Sequence, residues 1–285
     1  VQEREENIKT AHKLLANMVG MKGIKKFLGD LEARSKVEKM RKKAGLPSTS
    51  PITTFHMIFE GPPGTGKTSI AGLVAKILNG LGILRTGQLV VARREDLVAS
   101  YVGQTAPRTA AVIRSALGGV LFIDEAYHLS MDDRDWFSSE VIVTLLNMME
   151  THRGDLVVIL AGYKKEMDNF LDSNPGLRSR FSNIVMFDSF TPTELRDIGT
   201  TMFKEVGYEV TPEANNVLET ITKELPQHSN GNARDVRNIV QQAILNHSQR
   251  LQNKEDATKE ELSNLVPEDF KDVGKDKQDW GRWIL

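Results

Sequence analysis

The stretch Gly61-Pro62-Pro63-Gly64-Thr65-Gly66-Lys67-Thr68 constrains this chain more than any other. It fits G-x-x-x-x-G-K-[ST] at every fixed position. It also lies between a compact apolar run, Phe55-His56-Met57-Ile58-Phe59, that reads as a strand, and an apolar-periodic stretch from Lys67 to about Leu81 that reads as a helix. Strand, glycine turn and helix in that order are the setting the motif requires. The spacing follows from the chemistry. Glycines let the backbone curl so that successive N–H groups and the helix N-terminus point at phosphate oxygens. Lys67 then adds a point charge near the β and γ phosphates, and Thr68 offers a hydroxyl to Mg²⁺.

The rest of the chain supplies a scaffold for such a loop. Helices are expected over 7–19 and 22–45, ahead of a Pro- and Ser/Thr-rich loop over 46–54. Further strands are expected over 88–92, 120–123, 156–161 and 184–187, with helices over about 107–117 and 138–151 among them. Apolar strands of this length separated by helices imply an α/β fold, a parallel sheet covered by helices on both faces. After Phe190 the pattern changes. Thr191-Pro192 and Thr211-Pro212 each place a capping hydroxyl before a Pro at the first helical position, and no strong strand follows. Helices over 192–206, 212–225 and 233–251 make the second part a small all-α domain. The expected boundaries are 1–190, 191–272 and a tail, 273–285, that carries Trp280 and Trp283. At 285 residues, about two domains are what the length allows.

Gly119-Val120-Leu121-Phe122-Ile123 ends in two adjacent acids, Asp124 and Glu125. At the C-terminal edge of a parallel sheet such acids face the ligand crevice. Asp124 is suited to hold Mg²⁺ through water, and Glu125 to orient and deprotonate an attacking water. A cap on the next helix is the structural alternative, and the phosphate loop decides for the functional one.

Composition narrows the classes further. Lys plus Arg is 37 and Asp plus Glu is 38, so the net charge is −1, which disfavours a protein built mainly to wrap nucleic acid. There is no cysteine, which removes disulfides and thiolate sites and suits a reducing compartment, cytoplasm or organelle stroma. The six histidines form no H-x-x-x-H pair. The longest apolar run, around 156–162, is far shorter than the roughly 20 residues of a membrane span, so no membrane insertion is expected. The opening Val-Gln-Glu-Arg-Glu-Glu is too charged for a signal peptide, and the lack of a starting Met leaves room for a missing targeting segment. The basic run 34–43 reads as the solvated face of an amphipathic helix.

Gly61 to Thr68 together with Phe122-Ile123-Asp124-Glu125-Ala126 resembles the AAA+ ATPases. Tyr101-Val102-Gly103-Gln104-Thr105-Ala106-Pro107, Gly118-Gly119-Val120 and Val158-Ile159-Leu160-Ala161-Gly162-Tyr163 look like its CbbX/CfxQ and SpoVK branch, which contains the red-type Rubisco activases. The resemblance covers roughly residues 10–272. It implies ATP and Mg²⁺ as ligands, a helical lid after the sheet domain, and a homo-oligomer, most simply a hexamer. It also implies a protein client gripped by a pore loop, red-type Rubisco being one candidate.

Further roles are carried over from the family where residues match. Val19-Gly20 resembles the adenine-contacting turn. Asn174-Pro175-Gly176-Leu177-Arg178-Ser179-Arg180-Phe181 resembles the segment that lends an arginine finger to a neighbouring subunit, with Arg180 the first choice and Arg178 the second. Gly231-Asn232-Ala233-Arg234 resembles sensor 2, in which Arg234 reaches the phosphates. Tyr101, Val102 and Gly103 take the place of the pore loop. The chain departs from the family at sensor 1, where Ala161-Gly162-Tyr163 stands in place of the usual Asn or Thr. A RuvB-like nucleic-acid motor and a nucleotide-gated assembly scaffold are the competing readings.

Overall fold

The structure, a computed structural model, describes residues 2–47, 55–130 and 136–274; Trp280, Trp283 and most of the loop 46–54 lie outside the described residues. The first elements are α1 (Gln2–Asn17), α2 (Lys22–Lys43), β1 (Met57–Glu60), α3 (Lys67–Gly80), β2 (Leu89–Ala92), α4 (Arg94–Leu97) and α5 (Thr105–Ser115). They are followed by β3 (Val120–Ile123), α6 (Trp136–Thr151), β4 (Val157–Gly162), α7 (Lys164–Asp172), α8 (Pro175–Arg180) and β5 (Asn183–Met186). The five strands form one parallel sheet in the order β2-β3-β4-β1-β5. Every residue of β1, β3 and β4 is buried, as continuous apolar strands covered on both faces must be. Phe59 packs its ring against Phe122 and Phe187, at centroid distances of 6.4 and 5.0 Å.

Two compact units emerge: Val1–Asn17, Met21–Gly61 and Gly66–Phe187 form the first, and Met18–Gly20, Pro62–Thr65 and Asp188–Leu285 the second. The turn 18–20 and the first half of the phosphate loop therefore belong, by their contacts, to the lid unit. In the first unit α1 lies on α3 where Gly80 leaves room for Ile8, and Asn7 donates to the Asn79 side chain at 2.8 Å. The first helix begins and ends earlier than its apolar pattern suggests, because Val19-Gly20 turns out of it, with Gly20 at φ +66°. Three short helices, α4 with four residues among them, escaped the periodicity altogether. α7 and α8 have nine and six residues, and Asn174 caps the second by accepting from Gly176 N at 2.8 Å.

The second unit contains α9 (Pro192–Glu205), α10 (Pro212–His228), α11 (Ala233–Leu251) and α12 (Lys259–Ser263). Thr191 and Thr211 cap α9 and α10 with Pro at the first turn, as their sequence pattern implies. α10 runs on through Pro226, beyond the expected end at 225. The unit is helical but not purely so. β6 (Glu209–Val210) and β7 (Asn264–Leu265) pair in parallel, two residues each, too short to leave an alternation in the sequence. No helix among the described residues is long and apolar enough to cross a membrane.

Candidate active site

In the first unit the C-terminal ends of β1, β3 and β4 share one edge of the sheet, where ligands of such sheets collect. β1 delivers Glu60 and Gly61; Gly61 N donates to Gly162 O at 3.1 Å, tying the root of the phosphate loop to the end of β4. Lys67 opens α3, and its Nζ donates to the Gly61 carbonyl at 2.8 Å. Thr68 beside it is exposed. The start of α3 has no side-chain cap, so its first N–H groups are left to an external acceptor.

β3 delivers the two acids. Asp124 N donates to Ala92 O at 2.9 Å, holding that residue to the end of β2, and Asp124 Oδ2 lies 3.8 Å from the Arg93 guanidinium. Glu125 sits in the left-handed region, φ 51° and ψ 44°, an uncommon place for a long side chain. That geometry turns its carboxylate out of the strand direction, half-exposed, with His128 Nδ1 at 3.8 Å from Oε2. Tyr127 is buried beneath, and burial, helped by the Glu125 charge, pushes its phenol up to about 12. Its ring lies 6.0 Å from that of Tyr163, which follows β4.

Glu60 is a group the sequence reading passed over. Its side chain is fully buried, one carboxylate oxygen has no partner, and the other lies 3.5 Å from Lys164 Nζ. Burial raises its pKa, and Lys164 opposes that rise. A charged residue closing an apolar strand was the only available signal.

The two finger candidates lie on α8 and differ in how they are held. Arg178 Nε donates to Asp172 Oδ1 at 2.6 Å, while Arg180 has, among the described residues, a 3.4 Å contact to Gly176 O and a 3.7 Å approach to Glu150. The loop ahead of α5 carries Tyr101 and Val102, 71% and 89% exposed, followed by Gly103 with nothing within 4 Å of where a side chain would begin.

In the second unit the N-terminus of α11 clasps Pro62–Thr65. Asn232 Nδ2 donates to Pro63 O at 3.1 Å and Ala233 N to Gly64 O at 3.1 Å. Gly64, at φ +69°, lies so close to the Gly231 carbonyl that a Cβ would overlap it. Asn232 Oδ1 accepts from Phe190 N at 2.9 Å, and Asp235 accepts from Gly231 N at 2.8 Å. Asn232 holds all this at φ 53° while buried. Sequence reasoning missed it, although Asn is among the few non-Gly residues suited to positive φ. Arg234 and Arg237 on the same helix are exposed. Gly20 abuts Glu194, whose carboxylate also accepts from Thr191 N at 2.8 Å. Gly20 thus rests on the capping box of α9.

Comparison with known proteins agrees with this architecture. Residues 57–189 match the ATPase family associated with various cellular activities (AAA), and residues 191–280 match the AAA lid domain. The chain is 45% identical over 236 residues to a CfxQ homolog of Cyanidium caldarium, covering 82% of each protein. It is equally identical, over 82% of its length and 80% of the relative's, to a chloroplastic ribulose bisphosphate carboxylase/oxygenase activase of Cyanidioschyzon merolae. Among solved structures, a RuvB mutant of Thermotoga maritima superposes with a TM-score of 0.62 over 92% of this chain and 71% of that one. The FIGL-1 AAA domain in complex with ADP does so with 0.61 over 90% and 82%. At 21% and 19% identity these two speak for the fold alone. A phosphate loop that follows a strand of a parallel sheet, an AAA domain followed by an AAA lid domain, and relatives of this similarity across most of its length make the chain a nucleotide-binding AAA+ ATPase of the group that contains CfxQ, CbxX and Rubisco activase-like proteins.

Proposed function

We propose that this ATPase works as a ring, most simply a hexamer, that binds Mg-ATP at Gly61–Thr68 and pulls on a protein client with Tyr101, Val102 and Gly103. The observation that carries the reading is the loop before α5. An aromatic and a β-branched side chain stand almost fully in solvent there, on a glycine-flanked turn. Such exposure lacks a reason in packing and suits a rigid, sequence-tolerant gripping surface. The activase name of a 45%-identical relative points to Rubisco as the candidate client, and the absence of cysteine suits a reducing cytoplasm or stroma.

The residues present fit the ligands. Backbone N–H groups of Gly64, Thr65, Gly66 and Lys67, with the Lys67 ammonium, bind and orient the phosphates, and Val19-Gly20 abuts the adenine. Thr68 and Asp124 are hard oxygen donors of the kind that hold Mg²⁺ together with nucleotide phosphates. No three His, Cys, Asp or Glu gather into a metal cluster among the described residues. Bound there, Mg²⁺ would neutralise charge on the phosphate oxygens. Glu125 accepts a proton from the attacking water as its oxygen bonds to the γ-phosphorus and the bond to the β-bridging oxygen breaks. Arg180, the more loosely held of the two arginines on α8, supplies the finger to a neighbouring subunit, with Arg178 in reserve. Arg234 reaches the phosphates from the lid.

Crosslinking from position 101 during turnover, alongside a remodelling assay on inhibited Rubisco, tests this reading. Tyr101→Ala should keep ATP binding and assembly but lose remodelling, while Tyr101→Phe should retain most of it. Full remodelling by Tyr101→Ala would overturn the pore-loop assignment. Crosslinks to DNA, with DNA-stimulated hydrolysis at defined salt, would favour a nucleic-acid motor, and assembly without hydrolysis would favour a scaffold.

A further inference from the structure

The lid unit carries a groove of about 1,020 Å³ between α10 and the turn that follows β7. Its floor is apolar, formed by Val217, Ile221, Leu225, Phe270 and Val273. Its rim carries Glu224, Glu268 and Asp272 against a single Lys271, and is therefore net acidic. None of the phosphate chemistry described above uses it.

The groove also has an entrance. Gly274 is part of its lining and turns at φ +82°, and a Cβ added there would meet Ile221 Cγ2 at 3.3 Å. Gly274, the last described residue, therefore lies at the groove itself. That segment, 275–285, reads Lys-Asp-Lys-Gln-Asp-Trp-Gly-Arg-Trp-Ile-Leu. It combines three basic residues, Lys275, Lys277 and Arg282, against two acids, with four large apolar residues, Trp280, Trp283, Ile284 and Leu285. Trp280 stands three and four residues before Trp283 and Ile284, the spacing that gathers side chains on one face of a helix. From Gly274 to Trp280 is six residues, a reach of at most about 20 Å when extended. Charge, apolar content and tether length all match what the groove offers.

We propose that the segment 275–285 folds back into the lid groove of its own chain, seating Trp280 and Trp283 on the floor formed by Val217, Ile221 and Leu225. Lys275, Lys277 and Arg282 then face the acidic rim. A segment held there covers apolar surface of a large aromatic kind and makes the groove part of the lid's core. It also gives the lid a detachable plug, so a partner with a similar aromatic-basic motif competes for the same surface.

The chain has no cysteine, which makes the test direct. In the full chain, Thr220→Cys on the groove is paired with Gly281→Cys, which leaves both tryptophans in place, and the pair is treated with a short bis-maleimide at low protein concentration. Val206→Cys, exposed and outside the groove, paired with Gly281→Cys is the control. The expected result is an intramolecular crosslink at Thr220 that forms at least about tenfold faster than at Val206, the gain of a docked over a merely tethered segment. Adding Ile221→Glu, or replacing both tryptophans by Ala, should bring the two rates together. Equal rates in the parent pair would overturn the proposal. Covalent dimers that rise with protein concentration would assign the groove to a second copy's segment and overturn it equally. For variants that fold poorly, acrylamide quenching of tryptophan emission in Trp136→Phe chains gives a second readout. Emission from Trp280 and Trp283 as accessible as in the denatured chain would overturn docking without any groove substitution.

Discussion

Asp124 and Glu125 follow a buried strand in partial exposure, with the Arg93 guanidinium 3.8 Å from one and the His128 ring 3.8 Å from the other. Asn232, in the lid unit, is buried, sits at positive φ and makes hydrogen bonds to Phe190, Pro63 and Asn230. The acids are weakly held and the asparagine is over-determined. In the proposed reaction Asp124 and Glu125 exchange partners, and both stand in solvent-facing, loosely paired positions. Groups that set the shape of the phosphate loop are locked by several bonds at once, and backbone strain is tolerated where those bonds enforce it.

The largest effect that would break this contrast is chemical. Glu125→Gln keeps the shape and removes the proposed base, so steady-state hydrolysis should fall by roughly 10²- to 10⁴-fold while nucleotide affinity and thermal stability stay close to those of the parent. A stability loss of the size seen in core variants would mean that the carboxylate is structural. An unchanged rate would remove it from the mechanism.

Asn232→Ala reverses the pattern. It orphans Phe190 N–H and the Pro63 carbonyl, and each buried unpaired group costs about 1–3 kcal/mol. Stability and nucleotide affinity should drop together, with hydrolysis at saturating ATP affected less than by Glu125→Gln. Asn232→Gly separates the two causes, because it relieves the positive φ but leaves both partners unpaired. If Asn232→Gly matched the parent in urea unfolding and ATP titration, the side-chain clasp would carry no weight.

The smallest effect concerns a buried group of the first unit. His56 accepts from Val158 N through Nδ1 at 3.0 Å, and burial, with the Arg180 charge adding to it, lowers its pKa to about 4 from 6.5. The neutral ring is the one that folds. Its contribution is intact above the unfolded value and is lost as pH falls from about 6.5 toward 4, where only the unfolded chain takes up the proton. Between about pH 7 and pH 5 this group should cost about 2 kcal/mol of stability, measurable by urea unfolding. H56N, which keeps an acceptor without a titrating ring, should flatten that part of the profile. An unchanged slope would place the titration elsewhere.

The fold was legible wherever local chemistry and burial agree. A strand such as Val120–Ile123 has to be apolar on both faces, and Thr191-Pro192 has to start a helix, so both appear in the residues themselves. α7 and α8 did not, since nine- and six-residue helices hold too few turns for a period to stand out. The second-unit strands β6 and β7 exist only because two residues of each pair across a gap of more than fifty positions.

What the chain determined by itself was the chemistry on offer: a loop of glycines with Lys67 and Thr68, two acids after a strand, and an exposed-type Tyr-Val-Gly turn. These are local patterns, set by which residue types a phosphate, a metal or a tight turn demands. Tertiary structure alone decided the strand order β2-β3-β4-β1-β5, which brings the ends of β1, β3 and β4 to one edge. It alone placed Asn232 on the Pro63 carbonyl, 169 positions away, and left Glu60 buried beside Lys164. Such long-range pairings leave no period or motif in the chain, because their energy comes from burial and hydrogen bonding between segments that meet only once the sheet has formed.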